Sequence, residues 1–429
     1  MKEKIAIVVL GCPKNEVDAE VLAGEFAKEG FILENSVESA DIAIIFTCAF
    51  IEDAVSEAID TILAISKIKF RVIVAGCLVS RYGREKLKEL LPEVEEFFDT
   101  YNYLSIIDYL KNKQFNSKKR FIYSSKNQRI FSSSYCYVKI SEGCMRGCSF
   151  CTIPFIKGKL FSRQISDIVT EIEKITDNGI YEIILVSQNS GDYGRDLDDK
   201  SNLKKLLKKI LKISNLKWLR LLYIYPNDID EELLELTKHE KFCNYLDIPI
   251  QHIDNDILKS MNRIRNETEI KKTLENIKTN YSDIFLRTSV IVGYPGENEE
   301  KFNKLLKFLQ EFRFYNLGCF KYSKEENTLA ARLGEQVPDE VKEERYNLIM
   351  DSQKKIVKEI NNSLIGKTFE VNISGYYSES QLLLEGRTMF QSPDIDGITL
   401  INEGIIESSG FYHVKITDYA DYDLIGKIV

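Results

Sequence analysis

Short apolar runs alternate with amphipathic segments through the N-terminal quarter of the chain. The runs Ile5–Leu10, Ile42–Phe46 and Val72–Ala75 are rich in β-branched residues and are typical of strands buried on both faces. Between them, Glu16–Lys28 and Asp53–Ile65 carry apolar residues at helical spacing. Alternation of this kind predicts a doubly wound parallel α/β sheet.

The pattern restarts after residue 134 with longer units. Amphipathic stretches such as Ile165–Ile175, Leu203–Ile213 and Phe302–Phe312 separate six strand-like runs. The predicted strands are Tyr137–Ile140, Glu182–Ser187, Leu219–Tyr225, Tyr245–Ile250, Phe285–Gly293 and Leu317–Tyr322. Six successive strand-then-helix units predict a partial TIM-type (β/α)6 barrel, with its chemistry at the carboxyl ends of the strands.

Two further segments complete the domain organisation. Gly366–Val429 has about five alternating strand runs with many turns, which predicts a small antiparallel OB-like β-barrel. Lys111–Arg129 has seven basic residues and no acidic residue, and we interpret it as a solvated linker. We therefore expect three domains, at residues 1–118, 130–363 and 366–429.

Composition narrows the class of protein. The 429 residues are 44% hydrophobic and 29% charged, as in soluble globular proteins, and no apolar run reaches the length of a membrane span. The net charge of −8 argues against a protein that coats nucleic acid. Six of the nine cysteines form two triplets, which fits metal sites in a reducing compartment. We expect a cytoplasmic protein with no membrane partner.

The first triplet is compact in sequence. Cys144, Cys148 and Cys151 follow the first predicted barrel strand as Cys-x3-Cys-x2-Cys. Three thiolates can hold three irons of a four-iron cluster and leave the fourth iron open. Zinc would require a fourth ligand, and no histidine stands nearby. A disulfide is disfavoured because three is an odd number, which leaves a structural cysteine knuckle as the alternative to a cluster.

The second triplet is dispersed along the chain. Cys12, Cys48 and Cys77 each stand just after a predicted strand of the N-terminal sheet. The carboxyl ends of parallel strands share one edge of a sheet, so the three thiols are expected to converge there. The alternative is three unrelated core thiols, as free cysteines are often buried. Convergence predicts a second four-iron cluster with one open iron.

The compact triplet resembles the cluster loop of the radical S-adenosylmethionine (SAM) enzymes. The resemblance implies that Phe150 packs near the adenine of SAM. Gln188 follows the second barrel strand, and Gly293 and Gly296 follow the fifth, where they are expected to form walls for the same cofactor. His252 ends the fourth strand and is open to two interpretations, a structural histidine or a substrate contact.

Over its whole length the chain resembles the methylthiotransferases, with a TRAM domain at the C-terminus. Within that family it is most similar to the branch that modifies an aspartate of small-subunit ribosomal protein twelve. The matching segments are Gly11-Cys-Pro-Lys-Asn15, Thr47-Cys-Ala-Phe-Ile-Glu-Asp53, Gly76-Cys-Leu-Val-Ser-Arg-Tyr82, Tyr245-Leu-Asp-Ile-Pro-Ile-Gln-His252, Leu286-Arg-Thr288, Gly386-Arg-Thr388 and Pro393-Asp-Ile-Asp-Gly397. One departure is Asn189, where the branch usually has aspartate, and it bears on SAM or substrate contact.

The resemblance implies two 4Fe-4S clusters and SAM as cofactors. SAM bound to the barrel cluster is expected to give a radical that removes hydrogen from the β-carbon of the target aspartate. The N-terminal cluster is expected to carry the sulfur that becomes the methylthio group. The implied partners are ribosomal protein twelve, free or on the ribosome, and an electron donor such as a flavodoxin or ferredoxin.

Two alternatives differ in substrate or in class. The nearer is a tRNA adenosine methylthiotransferase, and the C-terminal domain argues against it. That domain has four basic and ten acidic residues, among them Asp394 and Asp396, and its net charge of −6 suits a basic protein better than RNA. The other is a non-enzymatic iron–sulfur sensor or electron carrier, which would not need a six-unit barrel.

Overall fold

A computed structural model describes residues 3–69, 71–112, 123–130 and 134–429. Its N-terminal domain is a five-stranded, all-parallel sheet in the order β2-β1-β3-β4-β5. Its elements are β1 (Lys4–Val9), α1 (Pro13–Lys28), β2 (Ile32–Glu34), β3 (Ile42–Thr47), α2 (Glu52–Ser66), β4 (Val72–Gly76), α3 (Cys77–Tyr82), α4 (Arg84–Leu90), β5 (Glu96–Phe98) and α5 (Ser105–Asn112).

Helices cover both faces of this sheet, which confirms the doubly wound prediction. Helices α1 and α5 share one apolar core with the strands, and α2, α3 and α4 share the other. Helix α1 begins at Pro13 rather than at the predicted Glu16, because proline is well suited to the first position of a helix. The edge strands β2 and β5 were not predicted, since three residues are too few to show a period.

The second domain contains six parallel strands in an arc. Its elements are β6 (Tyr135–Lys139), β7 (Ser141–Glu142), α6 (Ile153–Ile156), β8 (Phe161–Ser162), α7 (Ile165–Asp177), β9 (Glu182–Val186), α8 (Leu203–Ile210), β10 (Trp218–Leu221), α9 (Glu231–Thr237), β11 (Tyr245–Asp247), α10 (Asn255–Ser260), α11 (Glu267–Asn280), β12 (Phe285–Val292), α12 (Glu299–Phe312), β13 (Asn316–Lys321) and α13 (Asp339–Leu364). The sheets β6-β9-β10 and β11-β12-β13 are joined by a parallel bridge between Leu219 and Phe242. The arc confirms the partial (β/α)6 barrel.

Two barrel strands end earlier than predicted. Strand β10 stops at Leu221 and β11 at Asp247, whereas the apolar runs continue for several more residues. Just beyond those ends, Tyr223 and Gln251 have φ angles of 59° and 69°. Non-glycine residues rarely adopt this left-handed conformation, and a strand cannot continue through it. The apolar residues of these segments are instead buried beyond the strand ends, at the carboxyl side of the barrel.

Helices pack on the outer face of the arc. The lysine-rich helix α8 buries Leu203, Leu206, Leu207 and Ile210 against the strands. Its lysines on the other side bond outward, for example Lys208 to Glu232 at 2.7 Å. The amphipathic stretch predicted at Leu203–Ile213 is therefore an outer helix of the barrel with a solvated lysine-rich face. No helix in the described ranges combines the length and apolar character that crossing a membrane requires.

The C-terminal domain is a closed five-stranded barrel. Its strands are β14 (Thr368–Tyr377), β15 (Ser380–Thr388), β16 (Thr399–Glu403), β17 (Gly410–Ala420) and β18 (Asp423–Ile428). They close in the order β14-β15-β16-β18-β17. Four of the five pairings are antiparallel and the β16–β18 pairing is parallel, which fits the OB-like prediction in all but that one pair.

The C-terminal barrel docks onto the amino ends of the strands of the central domain. Glu182, fully buried at the start of β9, pairs with Arg220 at 3.2 Å and with Arg387 at 3.0 Å. Beside these charges, Phe390 stacks on Phe285 at the start of β12, with ring centroids 4.0 Å apart. The floor of the central barrel is therefore filled by side chains of the C-terminal domain.

This docking involves two of the acidic residues that were counted in the charge of the C-terminal domain. Asp396 is buried and accepts hydrogen bonds from Tyr245 Oη at 2.8 Å and from the Arg287 guanidinium at 3.1 Å. Asp394 accepts from Tyr137 Oη at 2.9 Å. Both carboxylates contact the central domain, and the one on Asp396 supplies a counter-charge to the buried Arg287. Net charge alone could not show that the Asp396 carboxylate is buried while Asp394 stays exposed.

The predicted linker is partly outside the described residues, at 113–122, as is the predicted boundary at 118. Its last residue does not have a solvated side chain. Arg129 is buried and pairs with Glu20 of α1 and with Glu171 of α7, the latter at 2.5 Å. The expectation of a solvated linker is wrong here, because the arginine joins the N-terminal domain to the barrel.

We expect Glu182→Gln to destabilise the docked floor. The substitution keeps the shape but leaves the buried Arg220 and Arg387 guanidinium groups without their counter-charge, at a cost of about 3 kcal/mol in the free energy of unfolding. Urea denaturation followed by near-UV circular dichroism measures this cost. Glu173→Gln, at an exposed position on α7, is the matched control and should cost less than about 0.5 kcal/mol. Equal urea midpoints for the two variants would contradict the role of Glu182.

Candidate active site

The dispersed thiols converge at the carboxyl edge of the N-terminal sheet. Cys12 precedes α1, Cys48 follows β3, and Cys77 begins α3 directly after β4. Gly11 has a φ angle of 96°, and a Cβ placed on it would lie 2.6 Å from Cys48 Cβ. The close approach of these two loops therefore requires glycine at position 11. Convergence of the second triplet, expected from topology, is present in the structure.

Asn15 ties together the loops that carry these thiols. Its buried amide donates to Leu10 O at 2.9 Å and to Thr47 O at 3.0 Å. Its Oδ1 lies 4.0 Å from Cys77 Sγ. The Thr47 hydroxyl adds a further tie, since it donates to Ala75 O at 2.8 Å. One asparagine thus contacts the loops after β1, β3 and β4.

Two buried ammonium groups influence the N-terminal thiols. Burial by itself would raise the pKa of Cys12, but Lys14 and Lys157 outweigh it and lower that pKa below its ordinary value. Burial raises the pKa of Cys48, and it raises the pKa of Cys77 to about 12. Backbone N–H groups after Cys12 and Cys48 point at the sulfurs and favour the thiolate forms.

The compact triplet lies on the loop between β7 and α6, above the strand ends of the barrel. The N–H of Cys151 donates to Cys148 O at 3.1 Å, and the N–H of Arg146 donates to Cys144 Sγ at 3.3 Å. Burial raises the pKa of Cys151 to about 12. The structure therefore brings the three thiols together in one tightly turned loop.

An arginine clamp fixes this loop to the barrel. Arg146 donates to Asp192 at 2.8 and 2.6 Å, and to both oxygens of Asp228 at 2.8 and 2.9 Å. Bidentate contacts of this kind specify orientation as well as charge. Arg263 lies 3.6 Å from the centroid of the Tyr225 ring and 3.8 Å from Cys148 Sγ.

A buried ionic network joins the two halves of the site. Lys139 Nζ, at the end of β6, lies 2.6 Å from Asp18 of α1 and 2.6 Å from Glu142. Lys157 Nζ lies 3.2 Å from the other oxygen of Glu142, and Gln188 Nε2 donates to that same oxygen at 2.7 Å. The network spans from the N-terminal domain to the loop that carries Cys144.

The residues predicted to contact SAM surround the compact triplet. Phe150 is half-buried against a small apolar cluster that contains Tyr294 and Ala330. Gln188 Oε1 is buried and has no hydrogen-bond partner among the described residues, so it is available to a ligand. These contacts are compatible with the SAM prediction, which stays a prediction.

Gly293 and Gly296, which were predicted to line the SAM site, differ in how closely other residues approach them. A Cβ on Gly293 would lie 2.2 Å from Lys342 Cγ, so α13 already occupies that side. The N–H of Gly293 donates to both oxygens of Glu297 at 3.1 Å. Gly296 has more room, since a Cβ there would have Glu335 Oε2 as its nearest neighbour, at 3.4 Å. Their contact with SAM also stays a prediction.

Asn189 and His252 have structural partners. The Asn189 amide donates to Asp228 at 3.0 Å, and its Oδ1 accepts from the N–H of Tyr225 at 3.1 Å. Asn189 therefore supports the carboxylate that holds Arg146, and an aspartate there would place a second negative charge beside Asp228. His252 is fully buried, with Nδ1 accepting from the N–H of Asp254 at 3.0 Å. These contacts favour the structural interpretation of His252.

The thiol sets fit clusters better than single ions. All nine cysteines are free thiols. Within the described ranges, no three His, Cys, Asp or Glu side chains are placed to hold one metal ion. A four-iron cluster places each thiolate on a different iron, so its sulfurs need not meet at one point. In each set two of the three thiols receive backbone N–H groups. Three soft donors, without a fourth donor among the described residues, match a cluster with one open iron.

Comparison with known proteins identifies the family. The model of the Radical SAM superfamily matches residues 138–309, that of Uncharacterized protein family UPF0004 matches 4–99, and that of the TRAM domain matches 365–429. The chain is 42% identical over 444 residues to the ribosomal protein uS12 methylthiotransferase RimO of Geotalea uraniireducens, covering 100% of this chain and 99% of that protein. The chain belongs to the RimO family of radical SAM methylthiotransferases. The RimO of Aquifex aeolicus is 41% identical, with coverage of 99% and 97%.

Solved structures support the fold assignment of this RimO family member. The radical SAM methyltransferase TsrM from Kitasatospora setae, solved with cobalamin and a [4Fe-4S] cluster, has a TM-score of 0.56 at 13% identity. The match covers 75% of this chain and 72% of TsrM. At that identity the likeness concerns the fold alone. Membership of the radical SAM superfamily implies a 4Fe-4S cluster and SAM as cofactors.

Sequence reasoning missed most of the charged residues of the RimO-type site. Lys139 is the clearest example, because a lone lysine within an apolar strand run signals a buried ionic partner. Arg146 stands inside the cysteine loop and gave no signal beyond its position. Its partners Asp192 and Asp228 lie too far along the chain for any local pattern to connect them.

We expect Asn15→Ala to disturb the N-terminal triplet selectively. The change leaves the Leu10 and Thr47 carbonyls without their donors, at about 1–3 kcal/mol for each buried unsatisfied group, and it frees the loops to separate. Iron in the anaerobically reconstituted protein should fall from about eight toward about four per chain, with SAM cleavage retained. Asn280→Ala, at an exposed position on α11, is the control. A full iron complement in Asn15→Ala would show that this amide does not fix the loops.

Proposed function

We propose that this chain transfers a methylthio group to the β-carbon of an aspartate in small-subunit ribosomal protein uS12. The observation that carries the proposal is full-length similarity at about 40% identity to proteins named for this activity. The geometry supports it, because two thiol triplets lie at neighbouring strand ends and are linked by one buried ionic network. Such an arrangement suits a reaction that needs two clusters near one substrate atom.

Each triplet has a distinct proposed role. Cys144, Cys148 and Cys151 would hold the 4Fe-4S cluster that binds SAM, with Phe150, Gln188, Gly293 and Gly296 as the surrounding contacts. Cys12, Cys48 and Cys77 would hold the second 4Fe-4S cluster. When bound, these cofactors supply the radical that breaks an unactivated C–H bond and the sulfur that replaces the hydrogen.

The protein itself holds the parts in place and limits access of water. The Arg146 clamp fixes the compact cysteine loop over the strand ends. The Lys139 network fixes α1, and with it Cys12, beside the same strand ends. Phe390 and its neighbours fill the floor of the barrel and keep solvent out from below. Fixed geometry and exclusion of water are what the cofactor chemistry requires from the protein.

The remaining partners follow from the proposed reaction. Breaking SAM reductively consumes an electron, so the enzyme needs a donor, and a flavodoxin or ferredoxin is the proposed class. The substrate is free uS12 or uS12 within the ribosome, and we place the reaction in the cytoplasm, where ribosomes are made. The acidic C-terminal barrel, including the exposed Glu379 and Glu407, favours a basic protein over tRNA.

The two cysteine triplets give matched variants. Replacing Cys144, Cys148 and Cys151 by Ala should halve the iron from about eight per chain and abolish reductive SAM cleavage. Replacing Cys12, Cys48 and Cys77 by Ala should halve the iron equally but leave SAM cleavage intact and abolish methylthio transfer. Iron analysis measures the cluster content. Chromatographic assay of deoxyadenosine, the product of reductive SAM cleavage, measures that cleavage, and mass spectrometry of the uS12 substrate measures methylthio transfer. About four irons in the unmodified chain, or loss of deoxyadenosine in the second variant, would contradict the assignment.

The substrate is tested in cells that lack the gene. Mass spectrometry of ribosomal proteins should show uS12 without a methylthio group, and tRNA nucleosides should be unchanged. Reintroducing the natural gene should restore the uS12 modification, and the variant with Ala at Cys144, Cys148 and Cys151 should not. Loss of a methylthiolated adenosine from tRNA, with uS12 unaffected, would replace the proposal by the tRNA alternative.

A further inference from the structure

We propose that the Lys14 ammonium group is the binding site for the carboxylate of the target aspartate. The inference deepens the proposed function and rests on it, since it concerns the same substrate side chain. It assigns to this chain a residue that recognises aspartate, rather than only the clusters that react with it.

Lys14 lies where the two halves of the site meet. It belongs to α1 and stands two residues after Cys12. Its Nζ is 3.4 Å from Ser187 O, just past the end of β9, and 4.3 Å from the centroid of the Tyr223 ring, just past the end of β10. The target carbon must be reached both from the barrel side and from the N-terminal triplet. Its side chain must therefore sit at this junction.

Lys14 forms no direct ion pair with a carboxylate. Among the described residues, no Asp or Glu oxygen lies within 4.0 Å of its Nζ, although the residue is only 8% exposed. The neighbouring Lys139 and Lys157 are paired with Asp18 and Glu142. A buried ammonium with one long hydrogen bond and one aromatic contact retains donors for an anion. Such a group is stabilised when a carboxylate enters.

Tyr223 adds a second observation at the same point. Its φ angle of 59° is unfavourable for a tyrosine, and the backbone there is held by the N–H donating to Asp247 Oδ2 at 3.1 Å. Strained backbone persists where the surroundings fix it, and such residues cluster at ligand sites. In this strained turn the Tyr223 ring faces the Lys14 ammonium group. The contact holds the ammonium group beside the carboxyl ends of the barrel strands.

A rival role for Lys14 is to offset the negative charge of the thiolates of Cys12 and its partners. That role predicts an effect on the N-terminal cluster and none on the choice between aspartate and asparagine in the substrate. The carboxylate role predicts the reverse. The two roles are therefore separated by measuring binding, with iron content as an independent readout.

The test is a double-mutant cycle between Lys14 and the target residue. A fluorescein-labelled peptide with the uS12 sequence around the target aspartate is compared with the same peptide carrying asparagine there. Fluorescence anisotropy gives Kd for the anaerobically reconstituted wild-type enzyme, for Lys14→Met and for Lys14→Gln. Lys28→Met, at an exposed position at the end of α1, is the matched control.

We expect the wild-type enzyme and Lys28→Met to bind the aspartate peptide about 30-fold more tightly than the asparagine peptide. Lys14→Met and Lys14→Gln should bind both peptides equally, with the affinity that the wild type has for the asparagine peptide. Both variants should keep about eight irons per chain.

Two results would count against these ideas in different ways. If both Lys14 variants still bind the aspartate peptide more tightly than the asparagine peptide, the carboxylate site is overturned and the proposed function stands. A loss of iron in the same variants then supports the charge-offset role. A wild-type enzyme that binds the uS12 peptide no better than a scrambled peptide overturns the substrate assignment, and the carboxylate site with it.

Discussion

The buried pairing of Lys139 with Asp18 and Glu142 is the interaction on which the rest of the site depends. An ammonium group in the protein interior is costly unless its partners are fixed at hydrogen-bond distance, and both carboxylates here lie 2.6 Å away. Asp18 belongs to the N-terminal domain, and Glu142 belongs to the barrel. The pairing therefore fixes the position of α1 against β6. Because Cys12 precedes α1 and Cys144 follows Glu142 closely, it also fixes one thiol triplet relative to the other.

The topology of the strands could be predicted from the sequence, and with it the position of both triplets. Parallel strands that alternate with helices share one carboxyl edge, so Cys12, Cys48 and Cys77 had to meet once each was seen to follow a strand. The same argument placed the loop of Cys144 above the barrel. The spacing of apolar residues along the chain was sufficient to predict this topology. Once the strands are located, their order and direction follow from a few packing rules.

The contacts that tune the site could not be predicted in the same way. Lys139 and Asp18 are 121 residues apart, and an apolar period says nothing about which charges meet across domains. Composition was also misleading for the C-terminal barrel. Its acidic excess suggested an open surface, yet Asp396 is bonded to Arg287 in the interior. Pairing depends on three-dimensional proximity, whereas net charge counts paired and unpaired groups alike.

The docking of the C-terminal barrel also limits how a substrate can reach the cofactors. Glu182 and Phe285 start their strands, so the barrel packs against the amino ends, opposite the thiol triplets. A substrate side chain must then approach from the carboxyl ends, past Lys14 and Tyr223. The C-terminal barrel can hold a distant part of a large substrate, but it does not line the point of reaction. Selection of the reacting residue therefore belongs to the N-terminal domain and the barrel loops, which agrees with the recognition role proposed for Lys14 on α1.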